Sequence, residues 1–224
     1  MSLNGPTPAK DGNTMNPLLT RLDIPSEIQA FFNAAGELSF SYGDQFERYG
    51  PGYHIVPSTQ NLWVAGLPNA THVIITYSVM EAMAFITLNR HRFPRLEQLV
   101  FIAIGNRLHR EQVDWIRGNY PGRKFTLIFD NDLVGYVTAI KLSGGIRNIN
   151  VQVLNLGTRV RLATNNKQVT MDACKLSLYT FEEAFGLRPR FRSPKPRQAL
   201  TFLDQLRNSS IKQGILPSLN DPHG

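Results

Sequence analysis

The chain of 224 residues contains a single cysteine, Cys174, which excludes an internal disulfide framework and any zinc site built only from cysteines. Its longest uninterrupted apolar run, residues 99–104, is far shorter than the roughly 20 residues of a membrane-spanning helix. The first residues contain no apolar stretch typical of a signal peptide. These absences predict a cytoplasmic protein without a membrane partner.

Several short catalytic motifs are also absent. The sequence has no GxxxxGK[S/T] phosphate-binding loop, no HExxH zinc motif and no GxSxG nucleophile motif. It contains no internal repeat and no cluster of cysteine and histidine. Any chemistry must therefore come from residues that the fold brings together.

The composition is that of a folded, basic protein. Hydrophobic residues make up 42% of the chain, which is enough for a sizeable core and argues against extensive disorder. Twenty-four Lys and Arg residues against 17 Asp and Glu give a formal net charge of +7. A basic surface is compatible with nucleic acid or another polyanion.

Short apolar segments alternate with helical patterns through the middle of the chain. The predicted strands are residues 72–76, 98–104, 124–129 and 148–156, and the predicted helices are residues 78–89, 109–119 and 133–142. This alternation predicts βαβ units and an α/β fold with a mostly parallel sheet. The near-continuous apolar character of the strands indicates a sheet with helices on both faces.

The flanking segments have other patterns. The predicted organisation is a flexible tail (1–22), an N-terminal α+β extension with a short helix at 25–33 (23–69), an α/β core (70–156) and a C-terminal region (157–224). The C-terminal region is predicted to contain a hairpin around residues 165–167, a short helix at 174–185, a basic Pro-rich connector at 188–197 and an amphipathic helix at 197–209.

Polar residues follow the predicted strands, at the edge where ligands bind to open α/β sheets. Asp130 and Asp132 follow the third strand, and two closely spaced carboxylates suit Mg²⁺. Asp132 has an alternative role as the cap of the next helix. Arg107, His109 and Arg110 follow the second strand, so we expect them beside the aspartates, where they would bind the phosphates of a nucleic acid. His109 could instead serve only to begin its helix.

Other basic residues are expected elsewhere. Arg90, Arg92 and Arg95 follow a helix, which predicts that they lie at the opposite edge of the sheet. The basic connector at 188–197 could contact a nucleic-acid backbone, or it could be a solvated linker.

Two segments carry a family resemblance. LIFDNDLVG (127–135) is similar to the Asp-x-Asp motif of the Toprim domain in its primase-like form, and VIITYSVMEAMAF (73–85) has the shape of the family's first motif. Toprim domains occur in bacterial primases, topoisomerases and recombination-repair proteins. The resemblance covers about residues 70–156. It implies Mg²⁺ on Asp130 and Asp132, a nucleic-acid partner with DNA favoured, and replication or mobilisation proteins as further partners.

The first motif departs from the family pattern. Tyr77 stands where the family has its glutamate, Ser78 where it has glycine, and Glu81 where it has a helix-start aspartate. Tyr77 and Glu81 are therefore the candidate catalytic residues, with Ser78, Gly105 and Gly135 in structural roles at the site. Glu81 is the only charged residue in an otherwise apolar helix, and it could simply stabilise the helix start or pair with an arginine.

We therefore expect a Toprim-like nucleic-acid-associated protein of DNA replication, repair or mobile-element maintenance that is weakly active or inactive. Two alternatives stay open. One is a non-catalytic binding or scaffold module without metal. The other is a Mg²⁺-dependent nuclease or phosphotransferase that uses Glu81 in place of the missing glutamate.

Overall fold

The computed structural model of the chain describes residues 15–212. The helices are α1 Pro17–Arg21, α2 Ser26–Phe31, α3 Val79–Asn89, α4 Arg110–Asn119, α5 Leu133–Ile146, α6 Leu178–Ala184 and α7 Phe202–Lys212. The strands are β1 Ser39–Tyr42, β2 Gln45–Gly50, β3 Tyr53–Ile55, β4 Trp63–Gly66, β5 His72–Thr76, β6 Leu99–Ala103, β7 Lys124–Ile128, β8 Gln152–Asn155, β9 Arg159–Ala163, β10 Gln168–Asp172 and β11 Phe191–Arg192.

A five-stranded sheet forms the centre, in the order β11-β7-β5-β6-β4. Strands β11, β7, β5 and β6 run parallel, and only β4 is antiparallel to its neighbour. The predicted α/β fold with a mostly parallel sheet flanked by helices is thus confirmed. Thr76 lies opposite both Ala103 and Ile128, so the three middle strands end at one level.

Alternation along the strands divides the core into two apolar clusters. Ile74 and Phe101 belong to the cluster that holds α1, α2, α3 and α7, together with β1 and β2. Val73 and Ile75 belong to the cluster that holds α4, α5 and α6, together with β9. The sheet is therefore buried on both faces, as its apolar strands require.

The predicted fourth parallel strand, residues 148–156, is wrong in its placement. Strand β8 pairs antiparallel with β9, in a separate sheet ordered β10-β9-β8. Gln152, Leu154 and Asn155 are exposed and Val153 is partly buried, so this strand has one covered face rather than two. The predicted hairpin around residues 165–167 is confirmed by the β9–β10 pairing.

The basic Pro-rich connector supplies the outermost strand. Phe191 and Arg192 form β11 beside Phe125 and Thr126 of β7. The Phe191 ring is buried 5.4 Å from the Phe125 ring, measured between centroids. Two strands of the central sheet, β4 and β11, consequently lie outside the predicted core at 70–156.

The chain ends differ from their sequence-based description. The predicted tail lies outside the described residues up to residue 14, whereas residues 17–21 form α1 because Asn16 caps it and Leu19 is buried. Helix α7 starts at Phe202, later than the predicted residue 197, and continues to Lys212. Across residues 15–212, no helix has the length and apolar character needed to cross a membrane.

Candidate functional site at the carboxyl edge of the sheet

The carboxyl edge is the end of the central sheet where β5, β6 and β7 finish. It brings together Tyr77, Gly105 and Asp130, because the three parallel strands end in register. The Gly105 N–H donates to the Tyr77 carbonyl over 3.0 Å, which continues the β5–β6 ladder beyond the strands. Gly105 has φ +79°, and an added Cβ would lie 2.6 Å from the Pro57 carbonyl oxygen. The turn after β6 therefore needs glycine.

Ser78 begins α3. Its buried hydroxyl accepts the Glu81 N–H over 3.0 Å, and its own carbonyl accepts the Thr76 hydroxyl over 2.7 Å. This is the geometry of a serine N-cap, which satisfies one of the free amides of the first helical turn.

Glu81 does not face an open crevice. Its side chain is buried, with the residue 1% exposed, and its two oxygens accept the N–H groups of Phe202 (2.6 Å) and Leu203 (3.0 Å) in the first turn of α7. Burial raises the pKa of Glu81 to about 7, although the two amides act in the opposite direction. Glu81 therefore caps a helix 121 residues further along the chain.

A second buried carboxylate, Glu47 on β2, has the same role for α3. Its oxygens accept the N–H groups of Val79 (2.7 Å) and Met80 (3.0 Å). They also accept the Tyr42 hydroxyl at 2.8 Å and lie 3.0 Å from Nε2 of His54. Sequence reasoning missed Glu47. The available signal was that it shares the inward face of β2 with Tyr49.

The paired aspartates have separate roles. Asp132 caps α5, because its Oδ1 accepts the Gly135 N–H over 2.7 Å. Asp130 is partly buried, and its Oδ1 has no hydrogen-bond partner among residues 15–212. Burial and the charge of Asp132 raise the pKa of Asp130 to about 6, against the lowering effect of Lys195.

Gly135 permits the close approach of α5 to this strand end. A Cβ built there would lie 2.2 Å from the Asp130 carbonyl oxygen, a distance that side chains do not adopt. The glycine of the Asp-x-Asp motif is thus required by packing between helix and strand.

The cation beside the aspartates is Lys195. Its Nζ donates to the carbonyl oxygens of Phe129 (3.0 Å) and Asp130 (2.6 Å), and it lies 4.2 Å from the centroid of the Tyr136 ring. Burial lowers the pKa of Lys195 to about 8. The Asn131 N–H donates to the Leu200 carbonyl over 2.9 Å, so the segment 195–201 crosses the end of β7. Sequence reasoning placed Lys195 in a connector.

Tyr77 is partly buried between these groups. Burial and the neighbouring charges of Glu81 and Asp130 raise the pKa of its phenol far above the usual range. The hydroxyl stays protonated at neutral pH, which makes it a poor nucleophile.

The three residues predicted to bind phosphate lie at the start of α4: Arg107 in the turn before it, His109 at its N-cap and Arg110 at its first position. Arg110 is 90% exposed and lies 3.6 Å from Asp114 on the same helix. Arg107 is exposed, and the His109 N–H donates to Oε1 of Gln112 over 2.9 Å. Arg110 and His109 line a cleft between α4 and α5 with Lys141 and Asp114. Their expected position beside the aspartates stays a prediction.

A Mg²⁺ ion takes oxygen ligands in octahedral geometry, usually from one or two carboxylates together with waters. Within residues 15–212, no three His, Cys, Asp or Glu side chains are grouped to hold a metal ion. Glu81 is occupied by α7 amides, one oxygen of Asp132 by an α5 amide, and the ammonium of Lys195 lies at the Asp130 carbonyl. This arrangement fits Mg²⁺ poorly.

Comparison with protein-family models, curated proteins and solved structures gives no significant match to this chain. The residues described above therefore carry the functional argument.

Proposed function

We propose that this chain is a nucleic-acid-associated protein with a Toprim-like core that binds its partner without cleaving it. The observation that carries the proposal is the state of Glu81, whose two oxygens accept the first amides of α7. The residue best suited to replace the missing acid of the family is thereby committed to holding the chain's own C-terminal helix.

Neither of the two candidate catalytic residues, Tyr77 and Glu81, is an accessible base at the carboxyl edge. A general base needs a free lone pair within hydrogen-bond reach of its substrate. Glu81 lies beneath α7 and is 1% exposed, and the Tyr77 phenol is held protonated. These contacts favour the binding module over a nuclease or phosphotransferase that uses Glu81.

Nucleic acid is the partner that the charge supports best. The net charge of +7 attracts a polyanion, and phosphate contacts by Lys and Arg supply most of the sequence-independent affinity for nucleic acids. DNA is favoured because of the Toprim-like motifs, and so is a role in replication, repair or mobile-element maintenance. Contacts from Arg107, His109 and Arg110 stay a prediction.

The proposal is tested by measuring binding and cleavage in the same samples. Labelled single-stranded and plasmid DNA are incubated with the protein in EDTA, Mg²⁺ or Mn²⁺. We expect binding in all three conditions and intact DNA in each. Asp130→Asn should bind as the wild type does.

Metal-dependent cleavage by the wild type that is lost in Glu81→Gln would overturn the proposal in favour of the nuclease. Glu81→Gln keeps the size of the side chain and one oxygen acceptor for α7. Circular dichroism of each variant separates a loss of chemistry from a loss of fold.

A further inference from the structure

A cavity of about 490 Å³ lies at the amino edge of the central sheet, where β5, β6 and β7 begin. It is bounded by the loop after α3, by these strand ends and by β11. Five of its lining side chains are cationic: Arg92, Arg95, Lys124, Arg190 and Arg192. This volume is within the roughly 300–1,000 Å³ typical of ligand pockets.

The charged side chains that line this cavity are all positive. Its lining contains no Asp or Glu, and none of the five cations forms an ion pair with any residue that the structure describes. All five are exposed. Arg90, in the turn that leads into the loop, is different, because it is paired with Glu27 at 2.7 Å. Five like charges repel one another, and a bound anion removes that repulsion.

The floor of the cavity shows the same positive field. His72 at the start of β5 lies with Nε2 2.7 Å from the Thr126 hydroxyl. Burial lowers the pKa of His72 to about 4, with further lowering by Arg192 and Lys124. The part of this lowering that comes from Arg192 and Lys124 is consistent with the positive charge of the cavity lining.

One wall of the cavity is apolar. Phe93 and Pro94 line it, and the Phe93 ring lies edge-on to His72 with 5.4 Å between the ring centroids. An aromatic wall beside cations is the combination used by sites for single-stranded nucleic acids, where bases or sugars pack on rings and phosphates meet cations. The phosphates of a single strand can enter a concave site, whereas a duplex presents a wide convex surface.

We propose that this amino-edge cavity binds the phosphates of a single-stranded nucleic acid. The inference rests on the proposed function and assigns the binding to the edge opposite the Toprim-like motifs. Arg92 comes from the loop after α3 and Arg192 from β11, so the site is complete only when the basic connector has joined the sheet.

The test compares two pairs of exposed arginines, Arg92→Ala/Arg192→Ala and the control Arg48→Ala/Arg159→Ala, whose residues lie on strands outside the central sheet. Fluorescence anisotropy of a labelled thymidine 20-mer gives the dissociation constant from 0.05 to 0.3 M NaCl. Two lost phosphate contacts should weaken binding by about 25-fold at 0.1 M salt and reduce the slope of log K against log salt by about 1.4. The control pair should bind within about twofold of the wild type.

Charge-preserving Arg92→Lys/Arg192→Lys should retain most of the affinity. Equal losses in the two alanine pairs, or no loss in Arg92→Ala/Arg192→Ala, would overturn the site while leaving the proposed function intact. Absence of wild-type binding to single-stranded and plasmid DNA would overturn the proposed function itself. A further outcome is a mononucleotide that binds through Arg92 and Arg192 while the affinity for the 20-mer does not depend on them. That result would overturn the assignment of a single strand as the ligand.

Discussion

The carboxyl edge of the central sheet is acidic and covered, whereas the amino edge is basic and open. At the carboxyl edge, Glu81 and Asp132 cap helices and Lys195 lies across the end of β7. At the amino edge, Arg92 and Arg192 face a cavity without ion-pair partners among the described residues. The charged groups that stabilise the fold and the arginines that have no ion-pair partner among the described residues thus lie at opposite ends of the same strands.

The two edges of the central sheet differ from the usual arrangement of an open α/β fold. Ligands of open α/β sheets usually bind at the carboxyl ends of the strands. The sequence has polar residues directly after the parallel strands, which is where such a ligand would bind. In this protein Ser78, Glu81 and Asp132 accept the first amides of the chain's own helices, so much of this edge is a structural junction.

The largest expected effect concerns the covered edge. Glu81→Ala leaves the buried amides of Phe202 and Leu203 without acceptors, which should lower the free energy of unfolding by about 3 kcal/mol. Urea denaturation measures the change. The matched control is Glu111→Ala, which removes an exposed acid from the first turn of α4 and should change stability by about 0.5 kcal/mol. Similar losses in the two variants would show that Glu81 does not hold α7.

A smaller effect is expected where α5 approaches the end of β7. Gly135→Ala forces a Cβ against the Asp130 carbonyl oxygen, and we expect a loss of about 2 kcal/mol. Gly118→Ala in α4 is the control, because a Cβ there meets nothing within 4 Å. It should stabilise the protein by up to about 1 kcal/mol through helix propensity. The thermal midpoints of the two variants should move in opposite directions, and a tolerated Gly135→Ala would contradict the close approach.

The smallest expected effect is a change in the pKa of His72, at the open amino edge, when a ligand binds. Its pKa of about 4 in the folded protein lies below the ordinary value of 6.5. The folded protein then binds fewer protons than the unfolded chain between these values, so this residue lowers the free energy of unfolding as the pH falls from 6.5 to about 4. A bound phosphate should raise the pKa of His72 by about one unit.

NMR titration of the histidine ring protons, with and without the thymidine 20-mer, measures this change. The same titration of Arg92→Ala/Arg192→Ala is the control, because the oligomer should leave its His72 pKa unchanged. A His72 pKa that does not respond to the oligomer would place the nucleic acid elsewhere.

The central sheet could be predicted from the sequence because its signals are local. Apolar strands such as 72–76 and 98–104 alternate with helices, and this pattern gave the parallel arrangement and the edge where Tyr77 and Asp130 meet. The capping of α5 by Asp132 was also visible, as one of two alternatives, because the cap and its helix are adjacent.

The contacts that decide the character of the site are not local. Glu81 accepts from residues 121 and 122 positions away, and Glu47 from residues 32 and 33 positions away. The apolar pattern of the predicted helix marks Glu81 as its only charged residue. The pattern does not show which backbone amides the carboxylate binds. Lys195 and β11 lie in a Pro-rich segment whose composition indicates an extended chain and does not specify the strand beside it.

The brevity of β11 has a consequence for association between molecules. The outer side of a terminal strand presents unpaired backbone groups, on which a second chain can continue the sheet and begin aggregation. Strand β11 offers only two residues, one of them Arg192, and Pro189 and Pro194 flank it closely. Proline has no N–H to donate and arginine repels a second basic chain. The same segment that widens the sheet by one strand thereby also prevents its further growth.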